Sequence, residues 1–141
     1  MKKIFTILFV SLFTMAIQAQ EKTAKIKFKS ETIDYGTIEK GADGVRVFEF
    51  ENTGTAPLVI TRVYSSCGCT IPKKPEKPIL PGESGVIEVK YDTKRVGPIR
   101  KTITVYSNAD EPTKAIKIKG KIVDPSKSKS IMMKDKSEIE S

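Results

Sequence analysis

Cys67 and Cys69 are the only cysteines of this 141-residue chain, and a single glycine separates them. Sulfur at this spacing supports four kinds of chemistry: a short-loop disulfide, two thiols packed as small hydrophobes, a redox-active dithiol, or a soft-metal site. Two fully extended residues span ~6.6–7.2 Å, whereas a disulfide wants its Cα atoms ~4.4–6.8 Å apart. A bond between them therefore requires a bend at Gly68, where the missing Cβ makes bending cheap. Closing so small a loop is worth ~1.6 kcal/mol by chain entropy, against ~3 kcal/mol for a loop of about 15 residues, so the bond is a poor stabiliser. If a metal binds, copper(I) suits two thiolates, while a closed zinc site needs four ligands. Lys73 and Lys74 follow closely enough to lower a thiolate pKa if they point inward. Ser66, Gly68, Thr70 and Pro72 complete the motif loop.

The remaining residues offer little for catalysis. The chain contains no histidine. That removes Ser-His-Asp and Cys-His nucleophile pairs, His-based zinc or haem sites, and most general bases that titrate near neutrality. Asp34, Glu39 and Asp43 lie in turn-rich stretches where acidic residues are ordinarily solvated. Gly41-Ala42-Asp43-Gly44 reads as a hairpin turn, because no helix follows to make it a phosphate cradle. The expectation is a non-enzymatic protein with no cofactor, the copper(I) alternative at Cys67 and Cys69 apart.

The elements that must position the motif are strands. Short alternating runs recur between Gly, Pro, Asn and Asp, and no stretch holds a helical apolar period. These runs are Ala24-Lys25-Ile26-Lys27-Phe28, Arg46-Val47-Phe48-Glu49-Phe50, Leu58-Val59-Ile60-Thr61-Arg62-Val63, Val86-Ile87-Glu88-Val89-Lys90-Tyr91, Ile103-Thr104-Val105-Tyr106, and residues 115–122. Thr37-Ile38 is a candidate seventh. Residues 71–78 are rich in proline and read as a stiff, partly extended loop. The pattern predicts a single immunoglobulin-like antiparallel β-sandwich of about seven strands over residues 24–124. Its period-two faces turn Phe48, Phe50, Leu58, Ile60, Ile87, Val89, Tyr91, Ile103, Val105, Ile116 and Ile118 inward.

Both ends lie outside that domain. Met1-Lys2-Lys3 precedes residues 4–17, an uncharged and mostly apolar stretch, and Ile17-Gln18-Ala19 offers a cleavage site. Fourteen residues rise only ~21 Å as a helix against ~30 Å of hydrocarbon, so a signal peptide over residues 1–19 is favoured over an anchor. No transmembrane segment is then expected after cleavage, and the localisation is periplasmic or extracellular. Residues 125–141 are mostly Ser, Lys and acidic, a charged flexible tail in which Met132 and Met133 are incidental.

The net charge is +8. Removing Lys2 and Lys3 with the signal lowers it to +6. The lysines alternate along the strands without clustering, which reads as a solvated surface and not as a nucleic-acid site.

Five motifs occur in order: Asp34-Tyr35-Gly36-Thr37-Ile38, Phe48-Glu49-Phe50-Glu51-Asn52-Thr53-Gly54, Ser66-Cys67-Gly68-Cys69-Thr70-Ile71-Pro72, Ile79-Leu80-Pro81-Gly82-Glu83, and Ser107-Asn108. Together they resemble the bacterial domain-of-unknown-function family numbered 1573, over about residues 26–123. That family is common in exported proteins of Bacteroidetes-like bacteria and is placed with immunoglobulin-like sandwiches akin to hydin and major-sperm-protein domains. The resemblance implies architecture and no catalytic residues; its Cys-Gly-Cys-Thr hallmark falls on Cys67 to Thr70 without an agreed role. Related sandwiches are mainly interaction modules. The resulting expectation is an exported binding or scaffolding module of the cell envelope, whose partner is another envelope protein or component. The alternative is a thiol redox or copper(I)-handling protein.

Overall fold

A computed structural model describes residues 21–127 and 129. The expected signal peptide and most of the expected tail lie outside the described residues. Eight strands are found among them: β1 (Ile26–Phe28), β2 (Thr32–Glu39), β3 (Val45–Asn52), β4 (Ile60–Ser65), β5 (Thr70–Lys73), β6 (Ser84–Tyr91), β7 (Gly97–Ser107) and β8 (Thr113–Val123). They form two four-stranded sheets, ordered β1-β3-β6-β5 and β2-β8-β7-β4. The expected sandwich is therefore present, with one difference in direction. Neighbouring strands pair antiparallel except β2 and β8, which run parallel, for example Asp34 beside Lys119.

The core follows from side-chain alternation. All eleven residues expected to face inward are at most 4% exposed. Full burial of a side chain such as Phe48 or Phe50 contributes about 1.5–3 kcal/mol. Ile26, Phe28, Tyr35, Ile79, Ile99 and Ile122 join them. The most deeply buried polar residue is held among them by its hydrogen bonds. Asn52 is 0% exposed, and its amide donates to the carbonyls of Ala56 (2.8 Å) and Ile79 (2.9 Å). Its Oδ1 accepts from the backbone of Gly54 (3.0 Å) and Lys25 (3.3 Å). Asn52 thus ties three chain segments together with every bond satisfied.

Four departures from the sequence reading have physical causes. Strand β2 is far longer than Thr37-Ile38, because an edge strand buries little and so shows no alternation; Tyr35 is its one fully buried side chain. Strand β7 begins at Gly97, not Ile103. Lys101 at an inward position breaks its apolar pattern, and β4 pairs only with residues from Ile103 onward, so no strand on that side needs the N–H donor that Pro98 lacks. The Pro-rich loop begins as strand β5, paired to β6. Residues 41–44 do not close a hairpin: β2 and β3 belong to different sheets, so this turn carries the chain across the sandwich.

Candidate functional site

The two cysteines sit at another such crossing. β4 is an edge of one sheet and β5 an edge of the other, so residues 66–69 turn the corner between them. Cys67 and Cys69 are joined as a disulfide, with Cα atoms 5.2 Å apart. The corner is further held by Thr70 N–H donating to the Cys67 carbonyl (3.1 Å) and Asp92 N–H to the Cys69 carbonyl (2.8 Å). Cys69 is buried at 6% exposure, while Cys67 is half-buried against the core. The expected need for glycine at position 68 is not seen. Its φ is not positive, and a Cβ there would meet nothing within 4 Å.

The other motif residues fall around this corner with unequal roles. Thr70 is buried at 3% exposure, and Ser66 is exposed. Pro72 lies on the open side of β5. Since Cys69 directs its carbonyl toward β6, Ile71 and Lys73 do likewise, and Thr70 and Pro72 face away. Proline offers no donor there and Thr70 N–H is already used, so this edge is closed to an added strand. The two lysines are not turned onto the sulfurs. Lys73 is exposed opposite Glu88, and Lys74 Nζ lies 3.8 Å from Glu76.

A cleft of about 490 Å³ adjoins the disulfide where the three crossings 41–44, 66–69 and 92–96 converge. Ala42, Gly44, Gly68, Cys69, Tyr91 and Thr93 are among its walls. The frame is rigid. Thr93 Oγ1 donates to the Ala42 carbonyl (2.7 Å), and Tyr91 N–H (2.9 Å) and Tyr35 OH (2.8 Å) both donate to the Gly44 carbonyl. Gly44 is required here: a Cβ would stand 2.1 Å from the Tyr91 oxygen. Burial raises the Tyr35 phenol above its ordinary pKa, against the opposing pull of Arg46, whose guanidinium lies 4.3 Å from the ring centroid. Sequence reasoning missed Tyr35 and Gly44, which come together only through the fold.

The lysines are not evenly distributed after all. On the outer face of β1-β3-β6-β5, three of the lysines are matched across strands, Lys27 with Glu51, Lys73 with Glu88, and Lys29 hydrogen-bonded to Glu49, while Lys90 stands between Val45 and Ile71. On the outer face of β2-β8-β7-β4, Arg100 stands directly opposite Lys119, with Lys117 and Lys121 to either side along β8. Asp34 approaches Lys119 at 3.6 Å. Among the described residues, no carboxylate forms an ion pair with Arg100, Lys117 or Lys121. At the far end of this face Arg62 lies 4.9 Å from the Tyr64 ring centroid and 5.9 Å from that of Tyr106.

Residues 26–122 match the model of DUF1573, a family of proteins of unknown function, and the chain belongs to that family. No curated protein matches it. A protein of unknown function from Porphyromonas gingivalis W83 is similar in structure, with a TM-score of 0.64 and 20% identity over 77% of this chain and 51% of that one. This chain thus spans about half the length of the P. gingivalis protein. The ASH/PapD-like domain 7 of human CEP192 superposes with a TM-score of 0.56 at 13% identity, covering 72% of this chain and 87% of the domain. The Vibrio cholerae VesB protease matches over 70% of this chain and 31% of its own, at 12% identity and a TM-score of 0.54. At these identities the likeness is one of fold: an immunoglobulin-like β-sandwich of the PapD-like kind.

Proposed function

We propose that this chain is an exported, non-enzymatic binding module of the bacterial cell envelope, and that it meets its partner through the outer face of β2-β8-β7-β4. The observation that carries this reading is Arg100 directly opposite Lys119 with Lys117 and Lys121 to either side, a row of cations in which only Lys119 meets a carboxylate, that of Asp34, among the described residues. Like charges directly across strands destabilise a sheet, and nothing in this fold requires them there. An anionic partner would turn that cost into binding energy and faster encounter. The basic start and apolar run at residues 1–19 support export, and an N-terminus at Gln20 on protein recovered from the envelope fraction is the expected result. No helix among the described residues is long and apolar enough to cross a membrane.

The test is site-specific photo-crosslinking in cells. A benzophenone side chain at Thr102, inside the cationic face, should yield adducts, and one at Glu88, on the balanced face, should not. Equal yields from both positions, or none from Thr102, would refute the assignment.

A second reading is supported by the cleft beside the disulfide. A thiolate of a partner dithiol would attack Cys67, the less buried of the two residues, and expel Cys69, which lines the cleft, as thiolate. The partner's second thiol would then resolve the mixed disulfide, leaving Cys67 and Cys69 reduced and the partner oxidised. Copper(I) could bind only after that two-electron reduction. Alkylation with intact-mass analysis across a dithiothreitol series decides it. Opening at sub-millimolar reductant supports exchange, and resistance until the protein unfolds makes the bond purely structural.

A further inference from the structure

The cationic face has features that go beyond charge, and they narrow its partner. We infer that it binds an acidic polysaccharide, a chain of uronic-acid-type sugars laid across β7 and β8. This rests on the reading above that the face is the binding surface.

Three observations carry the choice. First, the cations form a line. Alternate residues along a strand stand about 6.6–6.8 Å apart on one face, and directly opposed residues on neighbouring strands about 5 Å. Lys117, Lys119 and Lys121 on β8, with Arg100 beside Lys119, therefore present positive charge at repeated intervals. A single small anion needs convergence instead, and a polymer with repeated carboxylates matches the spread.

Second, hydroxyls accompany the cations. Thr32 and Thr102 flank Lys117 on either side in register. Together with Arg100 and Lys119 they line a shallow trough of about 420 Å³ whose floor includes Ile118. Threonine hydroxyls both donate and accept, as sugar hydroxyls require.

Third, the face ends in two exposed aromatic rings. Tyr64 is 45% and Tyr106 36% exposed, with Arg62 held near both. Such rings offer flat apolar faces to pyranose C–H groups. The outward positions between them and the cations are Thr104 and Ala115. Neither is a large apolar side chain of the kind that anchors a protein segment or enters a lipid surface.

The experiment is calorimetric titration of the mature full-length chain with an oligogalacturonate. Its methyl ester, poly-glutamate and phosphatidylglycerol vesicles serve as the alternatives. The oligogalacturonate should bind, its affinity should fall steeply with added salt, and esterifying its carboxylates should abolish binding. The Lys117→Gln/Lys119→Gln variant should bind at least about tenfold more weakly, and Lys73→Gln/Lys90→Gln should bind as the parent does. Absence of oligogalacturonate binding would overturn the inference. So would poly-glutamate or vesicles binding as tightly, or equal losses in both variants. If crosslinking from Thr102 succeeds while the sugar fails, the face remains a binding surface and only the polysaccharide falls. If both fail, the binding face falls as well.

Discussion

The two outer faces of this sandwich are built from the same residue types and use them in opposite ways. On β1-β3-β6-β5, each of Lys27, Lys29 and Lys73 meets a glutamate on the next strand. On β2-β8-β7-β4, Arg100 meets Lys119, and a single aspartate, Asp34, stands nearby. Cross-strand pairs are worth roughly 0.2–1 kcal/mol in either direction. The first face therefore adds to the stability of the fold and the second subtracts from it. A surface kept at some cost to the fold is better explained by what it meets outside the molecule.

The largest effect expected tests the balanced sheet from within. Asn52→Ala strands the Ala56 carbonyl and the N–H groups of Gly54 and Lys25, while the Ile79 carbonyl keeps its bond from Leu58, and it should cost about 3 kcal/mol in urea unfolding. A loss below about 1 kcal/mol would mean that water replaces the amide. Reduction of the Cys67–Cys69 bond, at the corner shared by the two sheets, comes next. Its loop is so short that unfolding of the reduced protein should be easier by no more than ~1.6 kcal/mol. A larger drop would mean that the corner organises both edges.

Charge variants then set the faces directly against each other. Glu88→Lys, opposite Lys73, should destabilise by up to about 1 kcal/mol, whereas Arg100→Thr should stabilise by about 0.5 kcal/mol. The same sign for both would break the contrast. The smallest effect concerns pH. Hydrogen bonding to Glu49, and its charge, raise the Lys29 pKa above its ordinary 10.5. The folded state thus holds this proton more tightly than the unfolded chain does. The contribution is complete below pH 10.5 and is lost as pH rises through the higher folded value. The stability difference between the parent and Lys29→Gln should shrink between pH 10 and pH 12; a constant difference would show that the pair is not felt.

How far the fold could be read depended on how much each strand buries. Strands β3, β6 and β8 bury one face, so their alternation named Phe48, Ile87 and Ile116 as core from spacing alone. β2 buries little, and β7 carries Lys101 at an inward position, so both were under-read. Pro72 hid β5, because proline signals a loop unless the open side of an edge strand is known. For the site, the motif located the disulfide corner. It could not indicate that Lys73 faces Glu88 or that Gly44 abuts Tyr91, since those neighbours are far apart along the chain.

The sequence by itself determined the class of fold, the core of its central strands and the pairing available to two lone cysteines. Each of these depends on local period or on a choice among very few partners. Only the tertiary structure decided which charges share a face. Lys117, Lys119 and Lys121 alternate in the sequence much as Lys25, Lys27 and Lys29 do. β8 lies beside β7 with Arg100 in register, and β1 lies beside β3 with Glu49 and Glu51. Whether a lysine is neutralised or left for a partner is therefore a property of strand order, which no local pattern contains.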